Sequence, residues 1–139
     1  MKKIAATLVL LLVFCTGVSA STFELVGGIR DNLAIGMQVE SQLGNNFGMR
    51  MGVEGNSGPQ PLIIFFEGKF YLKYLTRSTY LSFVLGAVAY TGNNNPADIG
   101  VSLGIVLNRA FDITPLFVEL GMDVVRRARA RIQIGYKLF

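Results

Sequence analysis

From residue 22 onward, polar and apolar side chains exchange places at every second position. Leu33, Ile35, Met37 and Val39 alternate with Ala34, Gly36, Gln38 and Glu40; Phe47, Met49, Met51 and Val53 alternate with Gly48, Arg50, Gly52 and Glu54. A period of two belongs to an extended strand whose side chains point alternately to opposite faces. The rhythm recurs along Leu62, Ile64, Phe66, Phe70 and Leu72, along Ile99, Val101, Leu103 and Ile105, and along Leu116, Val118, Leu120 and Met122. The stretch 79–91 is apolar on both parities. Turn formers divide the pattern at Asp31-Asn32, Gly44-Asn45, Gly55 to Pro59, Arg77-Ser78, Gly92 to Pro96, Asp112 to Pro115 and Arg126-Arg127. Gly and Asn tolerate positive φ there, and Pro presets its own. Eight strands are predicted, at about 22–30, 33–42, 46–55, 62–75, 79–91, 98–109, 116–125 and 128–139. These are longer than the roughly 5–6 residues usual in soluble sheets. They match the ~9–11 residues of a tilted strand that crosses a bilayer.

One parity is nearly free of charge. The other carries seven acids, Glu24, Glu40, Glu54, Glu67, Asp98, Glu119 and Asp123. It also carries seven bases, Arg30, Arg50, Lys69, Lys73, Arg129, Arg131 and Lys137. A solvated surface has no need of such balance, because each charge keeps its own water. A narrow enclosed space does, since an unpaired charge there costs several kcal/mol. Glycines such as Gly36, Gly52, Gly104 and Gly121 share the charged parity, where small residues make room for long ones on facing strands. Alternation alone survives turning a barrel inside out. Strand length and the company of glycine with charge favour the charged face as the interior.

The first twenty residues, MKKIAATLVLLLVFCTGVSA, carry a positive start, an apolar stretch from Ile4 to Thr16, and small residues at Val18-Ser19-Ala20. That is the layout of a secretory signal peptide cleaved after Ala20, with residues 21–139 forming one domain. The apolar run is shorter than the ~20 residues a spanning helix needs. Removing it takes away Cys15, Lys2 and Lys3, which leaves 11 bases against 9 acids and no thiol. A net charge so close to zero carries no nucleic-acid footprint. The 139-residue sequence contains no histidine.

The last strand ends Gln133-Ile134-Gly135-Tyr136-Lys137-Leu138-Phe139. On this strand, and on its pattern and length over 21–139, the chain resembles small outer-membrane β-barrels of the OmpA transmembrane-domain and OmpX class. The resemblance implies an all-β fold: an eight-stranded antiparallel up-and-down transmembrane barrel with short loops. It also implies residence in the outer membrane, contact with its lipids, and insertion by the barrel-assembly machinery. Gly135, Tyr136, Leu138 and Phe139 would then act as the C-terminal insertion signal, although Phe139 falls one place off the apolar parity of Ile134, Tyr136 and Leu138. At eight strands the interior is just filled by side chains, so no open pore is expected. Tyr74, Phe83, Tyr90, Phe111, Tyr136 and Phe139 are the candidates for aromatic girdles.

Candidate chemistry is sparse. The barrel enzymes that the resemblance brings to mind rely on histidine as general acid or base, and none exists here. No catalytic, cofactor or metal site is expected, since the carboxylates have no calcium-loop spacing and sit among balancing cations. The expected role is structural, in envelope integrity, by a monomeric barrel. A narrow gated pore and a soluble periplasmic barrel around an apolar ligand are the alternatives. Arg126, Arg127, Arg129 and Arg131 cluster where the seventh and eighth strands connect, and arginines there could hold lipopolysaccharide phosphates or pair with lumen acids. Outward connections are expected at 31–32, 55–61, 92–97 and about 126–128, with Asn93-Asn94-Asn95 open to a minor recognition role.

Overall fold

A computed structural model describes residues 21–139. The signal peptide expected at 1–20 lies outside the described residues. The described chain is an eight-stranded antiparallel barrel in which every strand pairs with its neighbours in sequence and β1 closes on β8. The strands are β1 Ser21–Arg30, β2 Asn32–Gln42, β3 Phe47–Asn56, β4 Leu62–Tyr74, β5 Tyr80–Gly92, β6 Asn95–Asn108, β7 Leu116–Val124 and β8 Ala128–Lys137. Each coincides with a predicted strand to within a few residues.

The lower end of the barrel, where β1 begins and β8 finishes, carries the turns 43–46, 75–79 and 109–115. The upper end carries Asp31 and the connections 57–61, 93–94 and 125–127. The pairs Ser21–Ser41, Met49–Gly68, Leu85–Leu103 and Met122–Ala130 lie level around the wall, and the next level hydrogen bond runs from Asp31 N to Ala130 O. One circuit therefore climbs ten residues along β1, from Ser21 to Asp31. That stagger imposes a steep strand tilt, within the ~35–45° typical of closed barrels.

The charged parity faces inward. Glu24, Arg30, Arg50, Glu54, Glu67, Lys69, Glu119, Asp123 and Arg131 are buried, while Leu33, Ile35, Ile99, Leu120, Ile132 and Ile134 are exposed. The interior is therefore not an apolar core, and the geometry does not offer the apolar cavity that a soluble ligand-binding barrel requires. Register also settles β5, whose two faces the sequence does not distinguish. Ser82 lies level with Tyr71 and Val84 with Lys69, so Ser82, Val84, Val88 and Tyr90 turn into the lumen.

Two connections differ from expectation. Gly92 pairs with Asn95 across Asn93 and Asn94, both at positive φ (51° and 57°). Such a two-residue turn matches the twist of the flanking strands. It begins β6 at Asn95 and leaves little of the loop expected at 92–97. Between β6 and β7, Ala110–Asp112 form a single 3-10 turn, with Arg109, Phe111 and Asp112 at positive φ.

Candidate functional site

The lumen is the site the fold builds, and it is filled in three storeys. At its centre, β1 supplies Arg30, β3 supplies Arg50 and β8 supplies Arg131. Arg30 holds Glu54 (Nη1 to Oε1, 2.7 Å) and Asp123 (Nε to Oδ2, 2.7 Å). Arg50 holds Glu67 (Nε to Oε2, 2.7 Å) and also Glu119. Arg131 reaches the same two acids, at 2.7 Å and 2.9 Å. Each carboxylate shared in this way joins strands that are not neighbours in the sheet. The Ser102 hydroxyl stands within hydrogen-bond distance of both Glu67 and Asp123. Its single proton serves one of them at a time. Gln133 donates to Glu54, and the Tyr90 hydroxyl donates to Asp123.

Long side chains fit because facing positions are small. A Cβ at Gly104 or Gly121 would lie 2.8 Å and 3.1 Å from Arg131 Nη2. Gly135 does the same for an aromatic ring: a Cβ there would lie 2.0 Å from Cζ of Phe117.

The lower storey gathers Glu24, Glu40, Lys69 and Lys137. Lys69 Nζ is 2.7 Å from Glu40 Oε2 and also donates to Asn108 at 2.7 Å. Tyr71 donates its hydroxyl proton to Glu40 at 3.0 Å, Lys137 lies 3.5 Å from Glu24, and Gln38 donates to Glu24. The upper storey is built on Arg129, which pairs with Asp98 at 2.7 Å and with Asp31 at 3.5 Å. Its guanidinium stacks on Tyr90, 4.1 Å from the ring centroid. Arg126 and Arg127 close this end from outside, on Asp98 (2.8 Å) and Asp31 (3.2 Å).

Of the fourteen residues assigned to the lumen from sequence, thirteen point into it. Lys73 does not. The pairing of β4 with β5 shifts register between Tyr71 and Lys73, so Lys73 lies level with Leu81 and is exposed. A bulge opposes two residues to one, and every side chain beyond it changes face. The strands' inward faces thus hold seven acids but six bases, and Arg126 reaches over the rim to supply another cation. Tyr90, assigned to a girdle, is buried inside.

The lumen assignment made from sequence did not include Gln38, Asn56, Gln60, Ser82, Ser102, Asn108 and Gln133, all buried and polar. All but Gln60 lie within the strands on the inward parity, which was the signal available for them. Two apolar groups complete the filling: Val26, Val84, Val106 and Phe117, and Ile63, Phe65, Val88 and Tyr90.

At the seam between β1 and β8, Gly135 is buried, and Tyr136, Leu138 and Phe139 are exposed. Leu138 N donates to Phe23 O and Phe23 N donates to Phe139 O, each at 2.7 Å. Two residues therefore oppose one, and the Phe139 ring lies beside Phe23, centroids 5.5 Å apart. This irregularity brings the ring of Phe139 next to the outward-facing Phe23 despite its parity.

No protein-family model matches the chain, and no curated protein matches it. A solved structure from "De novo design of transmembrane beta-barrels" matches with a TM-score of 0.57 at 11% identity, covering 84% of this chain and 95% of that one. The fold is that of a transmembrane β-barrel. At that identity the likeness speaks for the fold alone. It agrees with an outer wall on which, among the described residues, Lys73 is the one exposed charge borne by a strand.

Proposed function

We propose that the chain is a structural barrel of the outer membrane, of the OmpA transmembrane-domain and OmpX kind, which supports envelope integrity and catalyses nothing. The observation that carries this reading is the central network. Arg30, Arg50 and Arg131, with Glu54, Glu67, Glu119 and Asp123, tie β1, β3, β4, β7 and β8 together across the lumen. A cross-braced interior suits a rigid plug in a membrane better than a passage. Lipid offers backbone groups no partners, and the closed ladder meets that demand.

In this reading an exported monomer is inserted by the barrel-assembly machinery and surrounded by outer-membrane lipid. Lipopolysaccharide at the upper end is the weaker part, because Arg126, Arg127 and Arg129 each already hold an aspartate.

The test joins two measurements on protein from the membrane fraction. An unheated sample in SDS is expected to migrate apart from a boiled one, as a closed barrel that resists detergent does. In planar bilayers it is expected to show no discrete conductance steps. Reproducible unitary steps would replace the structural role with the gated pore, and a protein soluble without detergent would sink the membrane placement altogether.

A further inference from the structure

The two rims differ in how their charges are satisfied. At the upper end, Arg126, Arg127 and Arg129 are matched by Asp31 and Asp98 at 2.7–3.5 Å. At the lower end Lys73, Arg77 and Arg109 are exposed, and none of the three has a carboxylate partner among the described residues. The acid at that rim, Asp112, is engaged by the hydroxyls of Ser78, Thr76 and Thr79. The lower rim thus presents three exposed cations to one carboxylate that pairs with none of them.

Two of them line one cleft of about 400 Å³, together with Tyr71, Tyr74 and Tyr80. The tyrosines form a row, with Tyr80 flanked by Tyr71 at 5.6 Å and Tyr74 at 5.5 Å between centroids. The Arg109 guanidinium lies 6.0 Å from the Tyr80 centroid. Amides of Gln42, Asn45 and Asn46 border the cleft. The Asn46 carbonyl accepts from Tyr71 N at 3.0 Å, which fixes the 43–46 turn against β4.

The cleft also adjoins the apolar wall, through exposed Leu72. A lysine on a lipid-facing wall is costly at mid-bilayer and nearly free of cost beside the headgroups. The bulge that carries Lys73 out of the lumen therefore puts it on the wall at the one level where a cation is tolerated.

We propose that this cleft binds the phosphate of an anionic phospholipid headgroup, gripped by Lys73 and Arg109 over the row Tyr71, Tyr80 and Tyr74. The site rests on the membrane placement proposed above. Its ligand is a lipid rather than a free anion because Lys73 stands on the apolar wall beside exposed Leu72, against which an acyl chain would lie.

Native mass spectrometry of the folded protein in neutral detergent, with phosphatidylglycerol or phosphatidylcholine added, tests the site. Phosphatidylglycerol adducts are expected to exceed phosphatidylcholine adducts. Each Lys/Arg removed is expected to cost about fivefold in that preference, so Lys73→Gln with Arg109→Gln should abolish most of it. Arg126→Gln with Arg127→Gln, at the opposite rim, should leave it unchanged. Equal uptake of both lipids by the unaltered protein would overturn the proposal. So would a preference that survives the Lys73→Gln/Arg109→Gln change, or one that excess inorganic phosphate removes completely, which marks a free-anion site. Flotation with phosphatidylcholine vesicles separates the two readings. A protein that does not float loses its membrane placement, whereas one that floats but shows no preference loses only the site. Both substituted residues are exposed, and retained heat-modifiable mobility of the variants confirms that the barrel still closes.

Discussion

Glu67 of β4 accepts from Arg50 of β3 and from Arg131 of β8, each at 2.7 Å, with none of the three more than 1% exposed. Two guanidinium groups from different strands thus share Glu67, and Glu119 is the one other carboxylate among the described residues that both hold. Removing one member of a buried ion pair leaves the other uncompensated, at about 3–5 kcal/mol. Glu67→Gln, which keeps the shape and removes the charge, is expected to lower unfolding stability by about that amount. Arg126→Ala removes an ion pair whose arginine is 70% exposed and should cost no more than about 1 kcal/mol. Urea titration of both variants refolded into vesicles checks the contrast, and equal losses would contradict it.

Lys69 and Lys73 are four residues apart on one strand, yet one is buried on Glu40 and the other is exposed. Brief treatment with an amine-acetylating reagent should modify Lys73 while the barrel is folded. Lys69 should remain unmodified until the protein is denatured. Peptide mass analysis reads both sites in one sample. Protection of Lys73 alongside Lys69 in the folded barrel would mean that the register shift after Tyr71 is absent.

Gly135 has no room for a methyl group, because the Phe117 ring occupies the space. Gly135→Ala is expected to cost about 1–3 kcal/mol through overpacking. Shortening the ring with Phe117→Leu should recover part of that loss in the double variant. A double-mutant cycle with no coupling would show that the two positions do not meet.

Leu120 is 55% exposed in the middle of β7. On a lipid-facing wall, Leu120→Arg should destabilise the inserted protein by about 2–4 kcal/mol, near the mid-bilayer value. On a solvated surface the same change would be close to neutral. Comparing folding free energies in vesicles therefore tests which solvent the wall meets.

Phe139 contributes both a backbone carbonyl and a ring to the seam. Phe139→Ala keeps the bond to Phe23 N and loses the ring pair, about 0.5–1.5 kcal/mol. Deleting the residue should cost about 0.5–1.5 kcal/mol more, the net worth of one hydrogen bond. If both changes have the same effect, the carbonyl contributes nothing to closure.

Much of this architecture was legible in the order of residues. Alternation placed eight strands and separated Glu40, Arg50, Glu67 and Arg131 from Val39, Met51, Phe66 and Ile132, because side-chain direction along a strand is a local property with a period of two. Charge balance and shared glycine parity then pointed the charged face inward, since a confined charge needs a partner and partners need space. The parity of Gln38, Ser102 and Gln133 carried the same message, less audibly, because neutral polar side chains occur on either face of a sheet.

What pairs with what was decided only by closure. The meeting of Arg131 with Glu67 depends on a stagger accumulated over a full circuit of the wall, a sum over eight registers that no single strand contains. Lys73 left the lumen and Phe139 came to lie beside Phe23 for a related reason. Each follows a local irregularity in strand pairing, and such an irregularity is fixed by the neighbouring strand rather than by the residues that carry it.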